Sequence, residues 1–461
     1  MKHINLLVIT LVAGSLLMAC TPTDTSSSST TSSEEKYNLL QNVDDLISSD
    51  NAQAHIEYLA GPEIGGRASG SADNQLACQY VADEFESYGL SPYSTETGYF
   101  QPYMQPYTRV FTEYFSFEVH NVANTSSNNY RYAYDFNFFI GNFSSYGYVF
   151  SGSSFDGQGE LITFTNVDYN YADKIVLVNN ISSTILADLY ADGAKGAIIN
   201  DYGEVYPVTE YGQGEYLDDS DFLMLYANPT SYASLTTNIS NGLSIADVSY
   251  NVDTVSKSVN NVVGILDIGA ASSIIVSAHV DHLGRFDAED DGYYAGALDN
   301  ASGIAGMLEL ARVYSENAER LTKNVIFIAY NGEEAGLYGS QHYSTNMVGE
   351  RAATRAAFNL DMIGGGSNDY ELEILGNMGN LGTSLANKLD EYGISNVYIG
   401  GNQPNSDHYW LGAMRIPSLS FVHFDDRYYH RPTDTEDKIN YDIFVNQLAM
   451  IASFMLTNYN K

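Results

Sequence analysis

From about residue 260 onward, apolar positions fall into short unbroken runs separated by longer stretches of helical period. The runs at 261–267, 273–278, 324–330, 355–360, 371–375 and 417–422 have the length and β-branched content of strands buried on both faces. Between and after them, 301–316, 381–392 and 439–456 repeat their apolar residues every three to four positions and predict helices. Long helices alternating with buried strands predict an α/β fold, a mostly parallel central sheet flanked by helices. Earlier, 72–88 predicts a helix whose apolar face holds Leu76, Tyr80, Val81, Phe85 and Tyr88, with Gly89 as its stop. A short helix ends at Leu59, a Gly-rich loop (GPEIGGRASG) spans 61–70, and a Tyr- and Phe-rich strand-like stretch follows Pro92.

Residues 131–248 have another texture, with short strands at 160–165, 174–179 and 196–200, a helix at 184–192 and few possible metal ligands. The words DKIVLVNN and YADGAKGAIIN resemble a protease-associated domain, a small β-rich α/β module. The division expected is 41–130 and 249–461 for one folded body and 131–248 for an insertion into it.

The first 40 residues carry an address. An apolar run, 4–19, follows Met1-Lys2-His3 and ends in Leu17-Met18-Ala19-Cys20. It is short for a membrane span and suits a signal-peptide core. It resembles a bacterial lipoprotein signal in which residues 1–19 are removed and Cys20 is lipidated. Residues 20–40 are then a Ser/Thr-rich tether. The expected location is the bacterial cell envelope, or secretion if Cys20 is not acylated. Cys78, the only other cysteine, is expected buried in a helix. With 20 basic and 57 acidic side chains the net charge is −37, which repels nucleic acid and anionic lipid headgroups.

In a parallel sheet, ligands bind beyond the carboxyl ends of the strands. His279 and Asp281 (SAHVDHLG) follow the second strand, and Glu333-Glu334 (NGEEAGLYGS) follow the third. Asp361 (NLDMIG) follows the fourth, and His430 (YHRPTDT) lies beyond the sixth. Asp299 (GALDNASG) precedes the linking helix. Singly, Asp299 could cap a helix, the glutamates could be a solvated turn, and His430 a surface residue. Together they place imidazoles and carboxylates on one rim, a donor set for Zn²⁺ or a similar ion. Five such ligands with one shared carboxylate suit two ions.

These five words, in this order, resemble the co-catalytic dizinc aminopeptidase family. That family includes glutamate carboxypeptidase II, glutaminyl cyclases and the catalytically silent transferrin receptor. The resemblance implies a zinc exopeptidase fold and two Zn²⁺ ions per chain, with Mn or Co as substitutes. It implies that His279 and Asp361 hold one ion, Glu334 and His430 the other, and that Asp299 bridges them. Asp281 would orient His279, Glu333 would act as general base, and Tyr429 would steady the oxyanion. Asp434 would orient the His430 loop, and Ser406-Asp407-His408 could either cap a short helix or back the site. Arg67 is expected to be structural. The activity implied is removal of N-terminal residues from peptides. A carboxypeptidase, a glutaminyl cyclase and a non-catalytic binding lipoprotein remain the alternatives.

Overall fold

The computed structural model describes residues 43–460, apart from 131–135, 139–142, 146–147, 151–153, 167–168, 180–182, 201–209, 212–221, 286–291, 366–370 and positions 378, 380 and 426. The leader, Cys20 and the tether lie outside the described residues.

Two strands organise the chain: β1 (Phe100–His120) and β6 (Ile245–Leu266), an antiparallel pair running from Phe100 opposite Val262 to His120 opposite Ile245, with a register shift between Ser249 and Asn251. One end of β6 joins β8 (Asn324–Tyr330), and its other end joins β2 (Phe155–Thr163). The expected boundary at 248 therefore falls inside a continuous strand.

On one side of β6, β8 is followed by β7 (Ser273–His279), β9 (Thr354–Asp361), β12 (Ser418–Val422), β10 (Leu372–Gly376) and β11 (Val397–Ile399). The four central strands β8, β7, β9 and β12 are mutually parallel, and antiparallel neighbours β6 and β10 flank them. On the other side, β2, β3 (Lys174–Val178), β4 (Gly196–Asn200) and β5 (Leu223–Ala227) run parallel. The expected α/β class holds.

Alternation explains the layers. Ile274, Val276 and Ala278 of β7 enter one core with helices α1 (Ser49–Leu59), α2 (Ala72–Ser87), α5 (Gly303–Glu316) and α9 (Tyr441–Tyr459). Ile275 enters the opposite core with Tyr343 of α6 (Tyr338–Thr345) and Leu411 of α8 (His408–Ala413). Helices α3 (Ser183–Ala191) and α4 (Pro229–Ser240) cover the second region in the same way, α3 packing on Val176 and Val178 and α4 on Ile175 and Leu177.

Two expectations are corrected. Leu76 is half exposed, and the buried face of α2 is Ala77, Cys78, Val81, Ala82 and Phe85, because smaller residues fit the close approach to the sheet. The helix expected from 301 begins at Gly303, after a π-type turn, Ala297–Ser302, in which Asp299 and Asn300 leave helical dihedrals. No helix among the described residues is long and apolar enough to cross a membrane.

Candidate metal centre

Parallel strands deliver the site. His279 ends β7 and Asp361 ends β9, so both project from the same rim. Beyond Tyr330, the last residue of β8, the chain turns at Gly332 (φ 74°), and a tight turn follows in which Leu337 N donates to Glu333 O (3.0 Å). Glu333 and Glu334 stand on that turn. Asp299 reaches the rim from the turn before α5, and His430 (φ 55°) from the loop after β12.

The candidate ligands meet. His279 Nε2 lies 3.4 Å from Asp299 Oδ1 and 3.4 Å from Asp361 Oδ1. His430 Nε2 lies 3.4 Å from Asp299 Oδ2 and 2.9 Å from Glu334 Oε2. The two oxygens of Asp299 thus face different imidazoles, the disposition a bridging carboxylate requires. Glu333 offers an oxygen within 4.8 Å of ligand atoms of His279 and Asp361. Among the described residues no lysine or arginine side chain pairs with these carboxylates. Gathered carboxylates without a lysine or arginine partner suit metal ions.

The surroundings fix these groups. Asp281 O lies 3.2 Å from His279 Nδ1, while its carboxylate, 4.0 Å from that nitrogen, accepts the backbone N–H groups of Glu333 (3.2 Å) and Glu334 (3.3 Å). Asp281 therefore locks the glutamate turn to the β7 terminus. Ser406 Oγ donates to Asp361 Oδ2 (2.6 Å) and accepts from Asn359 Nδ2 (2.8 Å). Ser406 does not cap α8, because its hydroxyl is committed to Asp361; Asp407 holds the cap position without a capping bond. Asp434 accepts from Leu298 N (2.9 Å) and Asp299 N (3.0 Å), so it shapes the Asp299 turn from the His430 loop. Tyr429 stacks on His430 with centroids 3.8 Å apart and is 40% exposed.

Arg67, expected to be structural, is buried directly beneath the centre. Its guanidinium donates to the carbonyls of Leu59, Val280, Ala295, Gly296 and Asp299 at 2.6–3.4 Å. His282, which sequence reasoning passed over, is also buried, and its Nδ1 lies 2.6 Å from Glu334 Oε1. The signal was present three residues after His279, in the same word SAHVDHLG.

Charge separates the two adjacent glutamates. Burial raises Glu333 well above its ordinary 4.5; His279 opposes this, and Glu334, Asp407 and Asp361 add to it. Burial pushes Glu334 the same way, but His430 and His282 outweigh it and hold that carboxyl well below 4.5. Burial disfavours an imidazolium at His279, yet Glu333, Asp361 and Asp299 hold it well above 6.5. Burial lifts Asp281 to about 6 against the pull of His279. The two adjacent carboxyls are thus pushed in opposite directions by what faces them.

The sequence model of peptidase family M28 matches residues 261–455. Aminopeptidase YwaD of Bacillus subtilis strain 168 is 30% identical over 197 residues, which is 39% of this chain and 40% of that protein. Escherichia coli K12 YfbL is 26% identical over 229 residues, 42% of this chain and 68% of that one. The chain thus spans less than half of YwaD's length. Among solved structures, BSAP, a zinc aminopeptidase from B. subtilis, superposes with a TM-score of 0.66 at 19% identity, covering 90% of this chain and 96% of that one. The aminopeptidase from Aneurinibacillus sp. strain AM-1 gives 0.59 at 23% identity, covering 92% and 95%. At these identities the structural matches establish a shared fold.

Proposed function

We propose, from the match of residues 261–455 to the model of peptidase family M28, that this chain is a member of that family and a zinc-dependent aminopeptidase releasing N-terminal residues from peptides. The observation that carries the reading is Asp299, whose two oxygens divide between His279 and His430 while Glu333 stays beside the set. His279 and Asp361 would hold one zinc, Glu334 and His430 the second, with Asp299 shared. Zinc in such a site polarises a carbonyl and lowers the pKa of water.

The protein's own groups do the rest. Glu333 accepts the proton of the attacking water and passes it to the departing amine, so that one water adds across the amide bond. Its buried, carboxylate-rich surroundings favour that proton's residence. The Tyr429 phenol, whose pKa is raised by partial desolvation and by the nearby Asp299 and Glu334 carboxylates, would donate to the oxyanion. Arg67 and Asp281 hold the loops that carry these groups.

The test is hydrolysis of unblocked amino-acid arylamides compared with their N-acetylated forms. Chelator-sensitive release from the unblocked series alone supports the proposal. Release of C-terminal residues from peptides, or cyclisation of N-terminal glutamine, would replace it with a carboxypeptidase or a glutaminyl cyclase. No turnover in the metal-loaded protein would favour a binding lipoprotein.

The same proposal places the enzyme in the bacterial envelope, anchored through Cys20, with 131–248 as a protease-associated domain. Cys20→Ser should move the protein from the membrane fraction to the soluble one; unchanged fractionation overturns the anchor.

A further inference from the structure

Strand β1 has an unusual inner face. Gln101, Tyr103, Gln105 and Tyr107 are buried at alternate positions, while Pro102, Met104 and Pro106 point outward. The two prolines are tolerated because, among the described residues, this stretch of β1 has a partner strand on one side only. A strand in this position would ordinarily present an apolar face to the core. This one presents hydrogen-bonding groups, and they end on the turn that carries Glu333 and Glu334.

The contacts are direct. Tyr103 Oη donates to Asn331 O (2.6 Å), the carbonyl two residues before Glu333. The same hydroxyl lies 3.0 Å from Gln105 Oε1, which also accepts from Ser69 Oγ (3.0 Å). Gly332 packs so closely that a Cβ there would stand 2.3 Å from Gln105 Oε1 and 2.9 Å from Tyr103 Oη. Asn331 is tied from two other directions. Its N–H donates to Asn261 Oδ1 (3.0 Å) on β6, and its side-chain amide donates to Asn74 Oδ1 (2.8 Å) on α2. The stacked His342 ring, 5.1 Å from that of Tyr103, keeps the phenol aimed.

We infer that Tyr103 and Gln105 are positioning residues for the reaction: Tyr103 through its bond to Asn331 O, and Gln105 through its contact with that phenol and its packing against Gly332, set where the Glu333 carboxylate stands. Neither touches the reacting atoms, and the effect runs through the backbone of the turn. The inserted region hangs on the far end of this same strand, so β1 joins it mechanically to the catalytic turn. The inference rests on the reading of Glu333 as general base.

The test uses the full-length, metal-loaded protein with Tyr103→Phe, which deletes one hydroxyl and keeps the ring, and with Gln105→Met. Met104→Ala, at a 62% exposed position on the outer face of the same strand, is the control. Two readouts are taken: steady-state kinetics on an unblocked aminoacyl arylamide, and hydrogen exchange of the peptide spanning 331–338. Tyr103→Phe should lower kcat about tenfold or more with KM within about twofold, since small displacements of a base are costly. Exchange should rise several-fold in 331–338, with metal content unchanged. Gln105→Met should move both readouts the same way, and Met104→Ala neither. Wild-type kcat and wild-type exchange in Tyr103→Phe would overturn the inference. So would a loss of activity that merely tracks lost metal and a lowered Tm. If the wild-type protein leaves every arylamide intact, the aminopeptidase reading fails on that result, and the exchange measurement alone still decides whether the strand holds the turn.

Discussion

Glu333 and Glu334 are neighbours with opposite fates, and the difference lies in what faces them. Two imidazoles face Glu334, while Glu333 lies among the carboxylates Glu334, Asp407 and Asp361, with His279 opposing them. Glu333→Gln keeps the shape and removes the proposed proton acceptor. It should retain bound metal and lose kcat by about 100-fold or more, measured on an arylamide. Arg67 is a different case. Its five carbonyl partners come from α1, the β7 terminus and the Asp299 turn, so one side chain closes three loops at once. Arg67→Met would leave several buried carbonyls unpaired, each costing about 1–3 kcal/mol. Urea unfolding should show a loss of about 3 kcal/mol or more. Arg67→Lys should not restore it, because an ammonium cannot spread across so wide a fan of acceptors. The sequence singled out Arg67 only as structural, since the partners of a buried guanidinium come from far along the chain.

At the scale of elements, periodicity located the strands and helices, and contact chemistry refined them. The helix beginning at Gly303 needed tertiary information. A Cβ at that glycine would stand 2.4 Å from Leu360 O on β9, so α5 can approach the sheet only through a residue without one. The preceding turn then swings Asp299 off the helix and onto the rim. The interface of α1 with α2 carries a pH-dependent feature. His55 is buried with its Nδ1 2.6 Å from Tyr80 Oη. Burial disfavours its charged form; Glu84 and Glu309 offset this in part, Arg312 adds to it, and the net pKa lies below 6.5. Above that ordinary value both folded and unfolded chains carry a neutral ring, and the stability is complete. As pH falls below 6.5, the unfolded chain takes up a proton that the fold refuses, and stability declines until the lower folded pKa is reached. His55→Gln should therefore be less stable than wild type at pH 7.5, with the gap narrowing as the pH falls toward 5. Thermal melts across that range measure it.

The whole molecule bears a net charge of −37, and Asp281, Asp299 and Asp361 are buried together at one rim with Glu333 and Glu334 beside them. Metal removal should therefore cost stability as well as activity. A strong chelator should lower Tm by about 5–10 °C. Two equivalents of Zn²⁺ should restore both Tm and turnover, and a calorimetric melt against added metal reads the stoichiometry. The α/β sheet and the groups that gather at its rim, the ligand candidates His279, Asp299, Glu334, Asp361 and His430 with Glu333 beside them, were legible in the chain. Buried parallel strands have a local apolar signature, and their ends name the rim. His282, Asn359 and the inward row of β1 were not legible as parts of the site, because a buried polar residue shows its purpose only through a partner tens or hundreds of positions away. The amino-acid order by itself thus determined which groups arrive at the strand ends. Only the tertiary structure decided how Asp299 divides its oxygens between two imidazoles, and which distant side chains hold the Glu333 turn in place. Distances and shared hydrogen bonds arise when strands pair across the sheet, and no local pattern encodes them.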